Sequence, residues 1–191
     1  MSGSEQRQNM NMAEYRQWEI LQKVRHEFWN GVVYSREEST RKHSLVAANL
    51  LAAVGALLKG QTCEAHGSGM RVFIRATGSQ AYPDMSVVCA PINSDSEYEI
   101  SNPTLVAEVV SPNTEDFDRG KKFGHYRTMD SLQEYLVLWQ DQAKMEQHTR
   151  TPEGFWLLRE IEGISQSISL ESLGGAKIQL ADIYDKVELI S

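Results

Sequence analysis

The segment from residue 104 to residue 126, TLVAEVVSPNTEDFDRGKKFGHY, most constrains how the chain can fold. Its first part, TLVAEVVS, is a continuous apolar run typical of a central strand that is covered on both faces. Pro112 ends the run, and the charged residues after it predict a helix with Thr114 as its N-cap. A strand followed directly by a helix at the centre of the chain favours an α/β architecture.

The elements around this unit complete that prediction. Apolar spacing predicts a helix over 12–24 and a second, longer helix, HSLVAANLLAAVGALLKG, that ends at Gly60. Asn30-Gly31 predicts a tight hairpin turn. RVFIRA, DMSVVCA and EYLVLW are typical of strands, and AKMEQHTR and GFWLLREI of a closing hairpin. We therefore expect a mixed β-sheet flanked by helices, with antiparallel hairpins at its edges.

Length and composition limit the classes of protein that fit. The 191 residues suit one domain, which we expect over 12–191 after a disordered N-terminal tail over 1–11. No apolar run approaches the roughly 20 residues of a membrane helix. Cys63 and Cys89 have no metal-site spacing, and we expect reduced, buried thiols in a cytoplasmic protein rather than a disulfide. The net charge of −7 argues mildly against a nucleic-acid partner.

Two acids occupy strand positions where apolar residues are the norm. Asp84 follows Pro83 at the start of a strand, and Glu108 lies inside LVAEVV. Each alone could be a turn cap or half of a structural salt bridge, because a buried carboxylate is costly without a partner. Together, two acids from neighbouring strands could hold a divalent cation such as Mg²⁺, which prefers oxygen ligands.

Lys122 is the positive side chain that such a site would need. It lies 14 residues after Glu108, and Asp118 and Tyr126 are four residues before and after it. On an α-helix this spacing puts the three side chains on one face. The alternative is a solvated, charged helix whose only feature is a local Asp118–Lys122 pair.

Six motifs in order carry a family resemblance: HEFWNGVVY, HSLVAANL, YPDMSVV, LVAEVVSPNT, DRGKKFGHY and EYLVLW. They resemble the Uma2 family of restriction-endonuclease-like proteins, which belongs to the PD-(D/E)XK nuclease superfamily. The resemblance extends over roughly residues 15–186. It implies a restriction-endonuclease-like fold, a central mixed sheet flanked by helices.

The resemblance also implies roles for individual residues. Asp84 and Glu108 match the metal-binding acids of the superfamily. The usual superfamily lysine would stand at Val110, which is a departure, and Lys122 on the following helix matches the family lysine instead. Lys121 is the weaker match.

Three further positions match family residues near the same site. Glu27 matches an upstream acid that would reach the cation directly or through water. His43 matches a histidine that would touch phosphate or support the edge of the site, and Tyr126 a structural tyrosine.

The predicted function is hydrolysis of phosphodiester bonds, most simply in DNA, with Mg²⁺ or Mn²⁺ bound by Asp84 and Glu108 and with help from Lys122. Two alternatives stay open. The chain could be an inactive nuclease-fold module that binds DNA or assembles with other subunits, or the acids could be structural ion pairs only. A homodimer would suit cleavage of two strands. Phosphate-cradling loops such as G-x-x-x-x-G-K-[ST] are absent from the sequence.

Overall fold

The computed structural model describes residues 5–7, 10–36 and 39–190. Its strands are, in chain order, β1 (Glu5–Arg7), β2 (His26–Trp29), β3 (Val32–Ser35), β4 (Cys63–Gly67), β5 (Arg71–Ile74), β6 (Ser79–Ala81), β7 (Met85–Cys89), β8 (Glu99–Ile100), β9 (Pro103–Val110), β10 (Glu134–Trp139), β11 (Lys144–Arg150), β12 (Trp156–Glu162), β13 (Ser167–Leu170) and β14 (Ala176–Gln179). Its helices are α1 (Met12–Glu19), α2 (Arg41–Leu57), a π-helix (Phe117–Lys122), α3 (Phe123–Tyr126), a 3₁₀ turn (Glu171–Leu173) and α4 (Leu180–Ile183).

The strands form two larger sheets and one short ribbon. The central sheet has the order β12-β11-β10-β9-β7-β4, and only β9 and β10 are parallel within it. The second sheet has the order β1-β3-β2-β6-β5-β8, and β13 pairs with β14. The predicted mixed sheet with flanking helices and edge hairpins is confirmed.

A separate apolar core lies on each face of the central sheet. One core packs α2 and α4 against the face of β9 that carries Leu105, Ala107 and Val109. The other packs the second sheet and α3 against the face that carries Val106 and Val110. Because alternate residues of a strand point to opposite faces, both faces of β9 are apolar, which explains its unbroken hydrophobic run.

Local chemistry explains where the main elements begin. Asn11 caps α1 in a reciprocal capping box with Glu14. The Thr40 hydroxyl accepts the N–H of the third residue of α2, and that helix buries one apolar stripe. Asn30 and Gly31 have φ angles of 49° and 88°, which is the left-handed geometry of the tightest hairpin turns, and they join β2 to β3 as predicted.

Two sequence-based expectations are corrected by the structure. The first is the disordered tail over 1–11. Glu5–Arg7 forms β1 and pairs antiparallel with β3, and Asn11 caps α1, while residues 1–4 and 8–9 lie outside the described residues.

The second correction concerns the cysteines. Cys63 and Cys89 are joined in a disulfide, and both are half-buried, so the expectation of reduced, buried thiols is wrong. The cause is the register of the central sheet, in which Cys63 of β4 is the direct partner of Cys89 of β7, with Cα atoms 3.9 Å apart. A separation of 26 residues carries no signal of that pairing. The cysteines therefore give no support to the expected cytoplasmic location.

Candidate active site

Glu108 is the buried acid at the centre of the site. It stands on β9 with only 2% of its surface exposed, on the same face as Val106 and Val110. The Tyr126 hydroxyl donates a hydrogen bond to its Oε1 atom at 3.3 Å. Burial raises the pKa of Glu108 well above its ordinary value, and the neighbouring acids add to that rise, although Lys122 opposes it.

Sheet register brings Asp84 to the same point. It directly precedes β7, and because Met85 pairs with Ala107 of β9, Asp84 lies across from Glu108. The backbone N–H of Val109 donates to Asp84 Oδ2 at 2.8 Å. The two acids, 24 positions apart in the sequence, are therefore neighbours through one antiparallel strand pair.

Asp84 is held by two positive or potentially positive side chains. Arg36 Nη2 lies 3.0 Å from Oδ1, and His43 Nε2 lies 3.2 Å from Oδ2. Burial acts to raise the pKa of Asp84, but the hydrogen bond and charge of His43, together with Arg36, hold that pKa below its usual value. Asp84 is thus an ionised, tightly oriented carboxylate.

Lys122 enters this pocket from the opposite wall. Its Nζ atom lies 2.9 Å from Asp118 Oδ1, 3.3 Å from Glu27 Oε2 and 3.3 Å from Glu108 Oε1. Burial alone would lower the pKa of Lys122, but the charges of these three acids raise it well above its ordinary value. The amine is therefore a permanent ammonium rather than a proton acceptor.

The backbone around Lys122 differs from the predicted regular helix. Residues Phe117–Lys122 form a π-helix that continues into α3. Such π-segments are rare and occur frequently at functional sites. The predicted convergence still holds, because Asp118 contacts Lys122 and the hydroxyl of Tyr126 contacts Glu108. Burial raises the pKa of Asp118, while the nearby Lys122 opposes that rise.

Glu27, on β2 of the second sheet, is the last acid of the site. Its Oε1 accepts the backbone N–H of Tyr82 at 3.1 Å, and its Oε2 accepts the indole N–H of Trp29 at 3.0 Å. Both oxygens are thus engaged, and the same Oε2 also faces Lys122. The observed contacts make Glu27 a partner of the lysine as well as of these two N–H groups.

All the predicted site residues except Tyr126 line one cavity of about 360 Å³. The rest of its wall comes from β9 and the turn after it, the π-helix, and the residues next to β3, α2 and β10. The lining residues from these parts are Tyr34, Ser35, Arg36, Ser39, Thr40, Val109, Ser111, Pro112, Asn113, Thr114, Asp118 and Gln140. Tyr126 lies behind the cavity as a support for Glu108. Lys121, the weaker match for the family lysine, is exposed and outside the lining.

Sequence reasoning did not foresee the contacts of two members of the site. Asp118 was placed on the same helix face as Lys122 and Tyr126, but its burial beside Glu108 was not predicted. Nothing in the sequence around Arg36 indicates that it binds Asp84. Val110, the position two residues after Glu108, is buried in the apolar core beside the site.

The donor set decides which metal the site could hold. Asp84 and Glu108 offer only carboxylate oxygens, which suit Mg²⁺ or Mn²⁺, and Mg²⁺ commonly binds one or two carboxylates and keeps several waters. Within the described ranges, no group of three or more His, Cys, Asp and Glu side chains stands in metal-holding geometry. The arrangement therefore fits a cation held by two acids, and a contact of Glu27 with that cation, directly or through water, stays a prediction.

The fold and this strand–helix site define a restriction-endonuclease-like protein of the mixed α/β class. Residues 12–181 match the family model Uma2, described as "Putative restriction endonuclease". The chain belongs to the Uma2 family.

Two relatives and one solved structure are similar to this chain. The chain is 34% identical to the uncharacterised Synechocystis protein slr1290 over 86% of each chain. It is 31% identical to the uncharacterised Synechocystis protein sll1609 over 83% of this chain and 91% of that one. A crystal structure from Anabaena variabilis, titled a "putative nuclease belonging to DUF820", has the same fold, with a TM-score of 0.74 and 15% identity over 92% of this chain and 97% of that one.

In the described part of the chain, no helix combines the length and the apolar character required to cross a bilayer.

Proposed function

We propose that the protein is a metal-dependent endonuclease that hydrolyses phosphodiester bonds in DNA. The observation that carries this proposal is the ammonium of Lys122, buried among acids from three elements and facing the same cavity as Asp84. The family description and the nuclease title of the structural neighbour support the same class of reaction.

Each side chain then has a distinct task. Asp84 and Glu108 would hold Mg²⁺ or Mn²⁺, which when bound supplies an activated water and stabilises charge on the phosphate. Lys122 stays protonated, so it would act as a fixed positive charge beside the phosphate and not as a general base. Arg36 keeps Asp84 charged and oriented. His43 binds Asp84 from the first turn of α2 and lies at the cavity edge.

Cleavage is the direct test. With Mg²⁺ or Mn²⁺, the wild-type chain should nick supercoiled plasmid or another member of a DNA panel. Asp84→Ala, Glu108→Ala and Lys122→Ala should each reduce the rate by at least about 100-fold, the scale of losing one electrostatic catalytic group. Lys121→Ala is the matched control, because it removes the exposed neighbouring lysine and should leave the rate unchanged.

The folded state of every variant should be checked by circular dichroism before its activity is compared. Equal activity in the wild type and the three site variants would point to a contaminating nuclease. An inactive wild type across the whole panel would refute the endonuclease proposal. A size measurement on the active species would show whether two copies act together, as a homodimer cutting both strands would require.

A second candidate function is a binding or accessory module that has kept the fold. The observation in its favour is that Lys122 already neutralises the buried acids in a closed network, in a chain of net charge −7. Such a network needs no metal. The response to metal ions therefore separates the two functions.

For a working site, saturating Mn²⁺ should raise the melting temperature. Ligand at 100 times its Kd stabilises a folded protein by about 2.7 kcal/mol, or roughly 5–10 °C for a domain of this size. Asp84→Ala should abolish the shift because it removes one of two ligands. Asp95→Ala is the control, since Asp95 is an exposed acid paired with Arg75. A shift of equal size in all three proteins would mean that Mn²⁺ binds elsewhere.

A further inference from the structure

The segment 20–25, ILQKVR, follows the last residue of α1 and exposes an apolar patch that the site as described does not use. Ile20, Leu21 and Val24 are 79%, 80% and 60% exposed. Single exposed apolar residues are ordinary, but three within five positions form an apolar cluster, and contiguous exposed apolar patches mark interaction sites.

Hydrogen bonds hold this segment in a defined turn. The N–H groups of Leu21 and Gln22 donate to the carbonyls of Trp18 and Glu19, both at 3.1 Å. At the other end, Arg25 Nη1 donates to the carbonyl of Ser68 at 2.9 Å. The apolar side chains are therefore presented to solvent by a backbone that is tied down at both ends.

The segment leads directly into the wall of the cavity. The carbonyl of Arg25 accepts the N–H of Arg36 at 3.1 Å, and Arg36 binds Asp84. The guanidinium of Arg25 lies 5.3 Å from the ring centre of Tyr82, whose N–H holds Glu27. Arg25 therefore links the patch to Asp84 through Arg36 and to Glu27 through Tyr82.

The patch lies beside positively charged side chains, although the whole chain has a net charge of −7. Lys23 and Arg25 are exposed beside the apolar residues, and Arg36 continues the positive strip to the cavity. A ligand that suits this surface combines negative charge with flat apolar faces. Nucleic acid has both, because phosphates bind basic side chains and unstacked bases pack on apolar ones.

We propose that segment 20–25 binds DNA at a locally unstacked base step beside the site. Lys23 and Arg25 contact backbone phosphates, and Ile20, Leu21 and Val24 pack against the faces of exposed bases or sugars. This inference rests on the proposed function, since it assumes that the cavity acts on a nucleic-acid strand. It adds a substrate preference for DNA with an unpaired segment, such as a bubble or a flap.

Binding can be measured without cleavage, by fluorescence anisotropy of a labelled DNA bubble with the full chain in metal-free buffer. The triple variant Ile20→Ser, Leu21→Ser, Val24→Ser should weaken binding to the bubble by about 10-fold or more, because it removes all the apolar contacts with the unstacked bases. A fully paired duplex of the same length should lose less. A 2-aminopurine placed in the bubble should show a fluorescence change with the wild type and a smaller one with the triple variant.

The matched control is a second triple variant, Phe155→Ser, Leu157→Ser, Leu158→Ser. These side chains are 70%, 63% and 51% exposed and line no part of the cavity. The control should bind the bubble like the wild type. Lys23→Gln should reduce the salt dependence of binding by about one phosphate contact.

The outcomes separate this inference from the proposed function. If the wild type binds no DNA, the proposed function fails and the inference fails with it. If the wild type binds DNA and both triple variants bind equally well, the contact is refuted while the function stands. If the first triple variant loses binding only to anionic lipid vesicles and keeps its affinity for DNA, the segment is a membrane contact and the proposal is overturned.

Discussion

Replacing Lys122 with methionine should lower the free energy of unfolding by about 3–5 kcal/mol at neutral pH, the usual cost of removing one partner from a buried ion pair. The change keeps the length of the side chain and removes its charge. Glu27, Glu108 and Asp118 would then face one another without the cation that lies within 3.3 Å of each. Urea unfolding of the metal-free protein measures the loss.

The same variant should show a characteristic dependence on pH. The pKa values of Glu108 and Asp118 are already raised by burial, and Lys122 is the group that opposes this rise. Without Lys122 the folded-state pKa values rise further, so the folded variant binds protons more tightly than the unfolded chain. Groups of this kind contribute stability below their unfolded pKa and lose it as pH rises through the folded value. The loss should therefore be larger at neutral pH and shrink as pH falls toward the ordinary glutamate pKa of 4.5.

Lys121→Met is the control for this measurement, because it removes an exposed charge from the same π-helix. It should change the free energy of unfolding by less than about 0.5 kcal/mol. A similar cost for both variants, or a cost at Lys122 that does not vary with pH, would contradict the ion-pair explanation.

Replacing Arg119 with methionine should lower the free energy of unfolding by about 2–3 kcal/mol, because it leaves the buried carboxylate of Glu146 without its arginine partner. Arg119 Nε and Nη2 bind the two oxygens of Glu146 at 3.0 and 2.5 Å, and Nη1 binds Glu115 at 3.1 Å. Glu146 belongs to β11 and is 1% exposed. The pair therefore fastens the π-helix that carries Lys122 to the central sheet.

Two further variants of the chain test whether the effect is specific to the Arg119–Glu146 pair. Arg75→Met breaks a pair with Asp95 in which both partners are about half exposed, and it should cost much less stability than Arg119→Met. The double variant Arg119→Met, Glu146→Leu should recover part of the stability lost by Arg119→Met, since no carboxylate is left unpaired. A double variant that is less stable than the single one would show that Arg119 acts by something other than this ion pair.

Local sequence signals predicted most of the elements that carry the site. Asn30-Gly31 predicted the β2–β3 hairpin, because few other dipeptides tolerate two left-handed residues in a row. The apolar run around Glu108 predicted a central strand, and β9 has that place between β7 and β10. Each of these signals acts within a few residues, so the element can be predicted without knowledge of the rest of the chain.

Features that depend on distant residues were missed for a common reason. The Cys63–Cys89 disulfide follows from the register of β4 against β7, and the register is decided by packing of the whole sheet. The π-helix also escaped prediction, since its residues are compatible with an ordinary α-helix. The contact of Arg36 with Asp84 joins positions that are 48 apart, across two sheets.

The sequence by itself determined which side chains are unusual: Asp84 and Glu108 at apolar strand positions, and Lys122 on the helix that follows. Only the tertiary structure decided how they meet, because the β7–β9 register places Asp84 beside Glu108 and the π-helix turns Lys122 toward Glu27. Strand and helix propensities are short-range, whereas the balance of four buried acids against Lys122, Arg36 and His43 exists only once the sheets and the helix have packed.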